Sequence, residues 1–160
     1  MVELTRFLRS QDIFLDVPAP DKAAVLGHAA NVLGDALPAG AIEALLVARE
    51  KVASTGVGEG VAIPHASTTL ITAPRVALLR MARPVPFDAV DDLPVALVFA
   101  VLAPADAQAL HLRLLARVAR LVRSPEVRSA LLAAKTSQEA YGVILEATGT
   151  PPRPERTELE

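Results

Sequence analysis

Val95-Ala96-Leu97-Val98-Phe99-Ala100-Val101-Leu102 decides the fold class. Eight apolar residues in succession leave no face to turn toward water, so the run reads as a strand covered on both sides. Val76 to Met81 has the same character. Between the two, Arg83 to Asp92 carries two prolines and three aspartates and is expected to be a loop or hairpin connection. Outward from this pair the period becomes helical. After Asp106, Leu110, Leu114, Val118, Leu121 and Val122 share one stripe. Ser124-Pro125-Glu126 restarts a helix with a serine cap and a proline in its first position. Ser137 to Glu146 is expected to be a last helix behind another serine cap. Toward the amino terminus, Ile13-Phe14-Leu15 is a short strand candidate, and Asp21 can cap a helix running to about Leu33. Ala41 to Glu50 forms a second. Strands and helices intermix without internal repeat, so the expected class is α/β, a single mixed β-sheet flanked by helices on both sides.

Composition sets bounds on function. The 160 residues suffice for one domain, expected over residues 1–148 with a disordered tail at 149–160 that is rich in proline and glutamate. A net charge of −2 and 3% aromatic residues argue against nucleic acid, since neither a counterion-displacing excess of cations nor a base-stacking platform exists. No cysteine occurs, which excludes disulfides and thiolate zinc sites. The longest strongly apolar stretch, Leu93 to Ala103, is about half of the ~20 residues that span a bilayer. Met1 to Ser10 has no signal-peptide core. The expectation is a soluble cytoplasmic protein without membrane insertion.

Chemistry concentrates in Ser54-Thr55-Gly56-Val57-Gly58-Glu59-Gly60-Val61-Ala62-Ile63-Pro64-His65. Alternate glycines at 56, 58 and 60 let backbone N–H groups turn inward toward an anion. Pro64 fixes its own φ and extends Ile63, so the imidazole of His65 is held in place. No lysine followed by serine or threonine comes after Gly60, so the loop is not a P-loop. Ile42, Leu45, Leu46 and Arg49 fall on one helical face, which sends the Arg49 guanidinium out from the core-facing side toward a polar cleft or an anion. Helix capping or a carboxylate partner would equally explain it. His111 sits near a helix N-terminus among Leu114, Leu115 and Val118, where the dipole favours the neutral ring; a satisfied core histidine is the simpler reading from position alone. Arg113, Arg117 and Arg120 form a separate, solvated stripe, and His28 receives no role. None of the three histidines has a carboxylate or histidine at i+3 or i+4, so no metal is expected.

The run from Ser54 to His65 resembles the phosphorylation-site signature of the type-2 enzyme IIA domains of the phosphoenolpyruvate-dependent phosphotransferase system, a group that includes fructose, mannitol and nitrogen-regulatory IIA proteins. The resemblance extends from about Val2 to Ala147 and includes the Arg49-Glu50 pair and the His111-Leu112 helix start. It implies that His65 is the phosphoryl acceptor, that His111 lies close to it and that Arg49 lines the site. Thr55, Gly56, Gly58 and Gly60 would bind phosphate. It implies a histidine phosphocarrier protein as donor and no cofactor. It also implies either regulated targets, such as a sensor kinase or a potassium transporter, or a sugar IIB component. Two positions depart from the family pattern. Glu59 stands where a neutral residue is common and is expected to point to solvent, and Ala66-Ser67 follows the histidine where glycine or a basic residue is common. Three readings compete: a stand-alone nitrogen-regulatory IIA, a fructose- or mannitol-type IIA that passes phosphate to a IIB permease component, and a binding module that keeps the fold without accepting phosphate. The complete motif speaks against the third. The absence of an attached IIB, IIC or donor domain favours the first.

Overall fold

The computed structural model describes residues 3–38 and 40–149; the expected tail from residue 150 onward lies outside them. Two 3-10 turns, Leu4–Arg6 and Ser10–Asp12, precede the first strand. Six strands follow along the chain: β1 (Ile13–Val17), β2 (Gly56–Gly58), β3 (Val61–Ala62), β4 (His65–Thr68), β5 (Arg75–Val85) and β6 (Val95–Pro104). Five helices accompany them: α1 (Lys22–Leu33), α2 (Ala41–Val52), α3 (Gln108–Val122), α4 (Pro125–Ala133) and α5 (Ser137–Ala147). The sheet runs β1-β5-β6-β3-β2, with β4 also pairing β6. Pairings β1–β5, β3–β6 and β4–β6 are parallel, whereas β5–β6 and β2–β3 are antiparallel. The sheet is therefore mixed, as expected.

Residue parity on the two long strands sorts the core into two layers. Ala77, Leu79, Val98, Ala100 and Leu102 pack with Val25, Leu26 and Leu33 of α1 and Ile42 and Leu46 of α2. Val76, Leu78, Leu97, Phe99 and Val101 pack with Leu114 and Val118 of α3, Leu131 of α4 and Ile144 of α5. Both faces of the β5–β6 pair are buried, which is why neither strand alternates in sequence.

Arg80 interrupts the apolar run of β5 for a reason. Its Nη1 donates to the carbonyls of Leu131 (3.1 Å) and Ala134 (2.6 Å), satisfying the end of α4. Arg75 does the same for Leu33 and Asp35 after α1, and Arg128 for Val122 and Arg123 after α3. Cations are favoured at these ends because unpaired carbonyls and the helix dipole collect negative charge there.

Caps form where the sequence places them at Asp21, which accepts from the Ala24 amide at 2.9 Å, and at Ser124, which accepts from Val127. Three local expectations change. The last helix is capped by Thr136, whose hydroxyl accepts from the Glu139 amide at 3.1 Å, with Ser137 its first residue. β5 continues through Pro84 to Val85, into the segment expected to be a connection. The glycine run is a short hairpin, β2 and β3, and not an open loop.

Candidate functional site

β3 and β4 behave as one strand interrupted at Ile63-Pro64. Val61 faces Leu97, Ala62 faces Val98, His65 faces Val101 and Thr68 faces Pro104, a constant offset against β6. Proline has no N–H for a ladder, and here the interruption falls on it. Its carbonyl still accepts from the Val101 amide at 2.9 Å. His65 shares the parity of Val61 and Ile63, both of which belong to the core layer beneath α3. That parity carries the imidazole toward His111, the fourth residue of α3. The two rings meet edge to face, with centroids 5.5 Å apart.

From the opposite layer, the last turns of α2 bring Arg49. Its Nε donates to His65 Nε2 at 3.2 Å, and its Nη1 donates to the Ala53 carbonyl at 2.9 Å. The guanidinium thus both caps its own helix and reaches the cleft, combining two alternatives that the sequence leaves open. His65 Nδ1 lies 2.8 Å from the Ile63 carbonyl. A carbonyl only accepts, so Nδ1 carries the proton; Arg49 only donates, so Nε2 presents its lone pair. Two independent contacts fix one tautomer. Such a nitrogen beside a guanidinium can attack an electrophile whose departing or spreading negative charge the cation takes up.

Electrostatics agree with the hydrogen bonds. Burial pushes the His65 pKa below its ordinary value of 6.5; the Ile63 carbonyl opposes this, Arg49 adds to it and Glu50 opposes it. Burial also lowers the pKa of His111, with His65 contributing. His111 Nε2 is buried without a hydrogen-bond partner among the described residues. Folding therefore favours neutral rings at both positions. The unfolded chain binds more protons below about pH 6.5, so the stability tied to the neutral rings is present above that pH and lost as pH falls below it. We expect the melting temperature to drop between about pH 7 and pH 5, and to drop less in a His65→Gln/His111→Gln variant. Equal pH slopes in differential scanning calorimetry would contradict this.

The glycines serve shape first. Gly58 and Gly60 have φ of 97° and 76°, and Glu59 between them has 56°. Gly56 sits so close to the segment after β5 that an added Cβ would lie 2.8 Å from Ala89 Cβ and 2.9 Å from its Cα. Gly56→Ala should cost ~1–3 kcal/mol through forced displacement of that backbone, measurable by urea denaturation. The hairpin amides are largely engaged: Thr55 N–H by the Glu50 carboxylate at 3.0 Å, Gly56 N–H by Ser54 Oγ at 3.1 Å, and Glu59 N–H by Asp91 at 2.8 Å. The Thr55 hydroxyl also donates to Glu50, at 2.6 Å. His65, His111 and Arg49 converge, while Thr55 and the glycines frame them with their contacts turned toward Glu50 and residues 87–94. Glu59 is exposed, as expected, and lies 3.7 Å from Arg128.

The sequence reading assigns no role to Glu50. It is only 8% exposed, and the signal was its spacing: Ile42, Leu46 and Glu50 recur every fourth residue on the buried side of α2. Among the described residues, no helix is long and apolar enough to cross a membrane.

Residues 6–147 match the family model described as phosphoenolpyruvate-dependent sugar phosphotransferase system, EIIA 2. A nitrogen regulatory protein of Pseudomonas aeruginosa is 38% identical over 149 residues, covering 91% of this chain and 97% of its own length. A fructose-specific EIIA component of Haloferax volcanii is 42% identical over 106 residues, or 66% of this chain and 68% of that protein. The crystal structure of nitrogen regulatory protein IIA-Ntr from Neisseria meningitidis has a TM-score of 0.83 at 32% identity, covering 87% of this chain and 97% of that one. With the family model matched over residues 6–147 and relatives alike in sequence and fold over most of the chain, the chain belongs to the EIIA type-2 family of the phosphoenolpyruvate-dependent sugar phosphotransferase system.

Proposed function

We propose that His65 accepts a phosphoryl group on Nε2 from a histidine phosphocarrier protein, and that the phosphorylated and free forms regulate other proteins. The observation that carries this reading is the Nδ1 contact to the Ile63 carbonyl at 2.8 Å, which leaves Nε2 as the nucleophilic atom. In the transfer, the Nε2 lone pair forms the new N–P bond. The donor's N–P bond breaks, and its electron pair returns to the donor ring. Nδ1 keeps its proton throughout. Because the transition state is loose, positioning and charge neutralisation are what the protein supplies. The Arg49 guanidinium, which holds the lone pair in the free protein, moves onto the phosphoryl oxygens as the bond forms. The unpartnered Nε2 of His111 is available to donate to them. A cradle role for Thr55 and Gly56 would require their donors to leave Glu50 and Ser54, so the charge rests on Arg49 and His111.

Regulation is the favoured outcome because the nitrogen regulatory relative aligns over nearly the whole of both chains. The fructose-type relative supports a second reading, transfer onward to a sugar IIB component. The test is incubation with a phosphoenolpyruvate-driven donor system and intact-mass detection of one acid-labile phosphoryl group. No mass gain would sink the proposal. Adding a fructose-type IIB then separates the readings, since retained phosphate supports regulation and rapid loss supports the sugar route.

A further inference from the structure

A relay of hydrogen bonds, joined through the backbone of Thr55 and Ile63, runs from the part-buried ion pair of Lys22 and Glu50 to the ring of His65. The Glu50 carboxylate receives Lys22 Nζ at 2.7 Å, the Thr55 amide at 3.0 Å and the Thr55 hydroxyl at 2.6 Å. Its side chain is 5% exposed. Four short donor contacts converge on it when the amide's second reach, 3.2 Å to the other oxygen, is included. Thr55 in turn accepts the Ile63 amide on its carbonyl at 2.9 Å. The Ile63 carbonyl then takes the His65 Nδ1 proton at 2.8 Å. Every link is on a different structural piece: α1, the end of α2, the start of the hairpin, and the break before β4. Lys22 is anchored as well, 5.0 Å over the Phe87 ring and 3.5 Å from Asp88.

We propose that Glu50 is a positioning residue for the phosphoryl-transfer reaction, which, through Thr55 and the Ile63 peptide, holds His65 in the tautomer that exposes the Nε2 lone pair. The kinetic part rests on the reading of His65 as acceptor; the tautomer part does not. An unpaired carboxylate at this depth would be costly, and replacing an ion pair by apolar groups of similar volume is often tolerated. Its placement one residue after Arg49 means that a single turn of α2 supplies the contact to Nε2 directly and supports, through Thr55 and Ile63, the carbonyl that meets Nδ1. Releasing Thr55 loosens the Ile63 backbone at its N–H, so that the carbonyl on the other side of the same Cα can swing away from Nδ1 and leave Arg49 as the main hold on the ring.

The test uses the full chain and two readouts. Lys22→Met/Glu50→Met removes both charges together; Thr55→Val removes the hydroxyl link and leaves the backbone. Long-range 1H–15N spectra report which ring nitrogen of His65 is protonated, and donor titration separates KM from kcat. The double variant should show a mixture of tautomers and a kcat for phosphoryl acceptance lower by roughly ten- to hundredfold, with the KM for the donor little changed. Thr55→Val should move both readouts in the same direction by less. Glu50→Gln retains an oxygen toward Lys22 and the Thr55 amide and can donate to the Thr55 hydroxyl, so it should return both readouts toward wild type. Wild-type Nδ1 protonation in the folded variants overturns the proposal, whether or not the rate falls. If the double variant does not fold, Thr55→Val decides by the same criterion. A wild-type protein that takes no phosphate, with a tautomer that still shifts in the variants, would retain the positioning role and remove the acceptor role.

Discussion

His65→Ala is expected to yield a folded protein that acquires no phosphoryl group from a phosphoenolpyruvate-driven donor. The proposed chemistry needs one lone pair, and no other nitrogen in the cleft is presented in the same way. His111 has a buried Nε2, and Arg49 holds its guanidinium between His65 and the Ala53 carbonyl. Loss should therefore be complete within detection and not graded. The structural cost is small by comparison. The ring is half-buried and its two hydrogen bonds are worth about 1–3 kcal/mol each, so circular dichroism should remain that of the folded protein while the melting curve shifts modestly. Label retained on the variant would move the acceptor elsewhere and remove the functional reading. Absence of label from the wild-type protein as well would likewise remove the acceptor role.

The second large effect is expected at Arg49. Arg49→Gln should lower the rate of phosphoryl acceptance by about 10²–10³-fold, the scale seen when one preorganised donor to a developing anion is lost. Arg49→Lys should recover part of this, because a point charge replaces a planar fork and cannot face Nε2 and the helix end together. A second consequence is independent of rate. The guanidinium is one of the groups that lowers the His65 pKa, so Arg49→Gln should raise it. The acid limb of the pH–rate profile would then move to higher pH, because the protonated ring has no lone pair to offer. NMR titration of the His65 ring follows the shift directly. An unchanged rate with Arg49→Gln would exclude the guanidinium from the transition state.

Much of this architecture was legible in the chain, and the parts that were not have physical reasons. Asp21 and Ser124 cap the helices expected of them because each side chain needs only an amide three residues ahead. The long strands β5 and β6 announce themselves by apolar runs with little alternation, over residues 76–79 and 95–102. By contrast, β2, β3 and β4 comprise three, two and four residues, too short for alternation to register. β3 and β4 are paired by β6, a partner more than thirty residues away, and β2 joins the sheet only through β3. The Pro64-His65 pair marked the candidate imidazole, and the face of α2 marked Arg49. What no local pattern conveyed is that their contacts land on opposite nitrogens of one ring. Glu50 entered only as half of the Arg49-Glu50 pair, without a role, because its partners Lys22 and Thr55 come from segments whose proximity only the tertiary fold creates.

The in-phase ladder on either side of Pro64 has a consequence for how this scaffold tolerates change. The histidine is indexed by the central strand and not by the glycine hairpin that precedes it. Lengthening or shortening the hairpin tip would be absorbed before the break, leaving the imidazole at its height above the sheet. A single residue inserted into β6 between Phe99 and Val101 would instead turn Val101, Leu102 and Ala103 to opposite faces and break the in-phase ladder that seats β4 beside α3. Changes at the tip are therefore decoupled from the imidazole, while the middle of β6 acts as the ruler for its height.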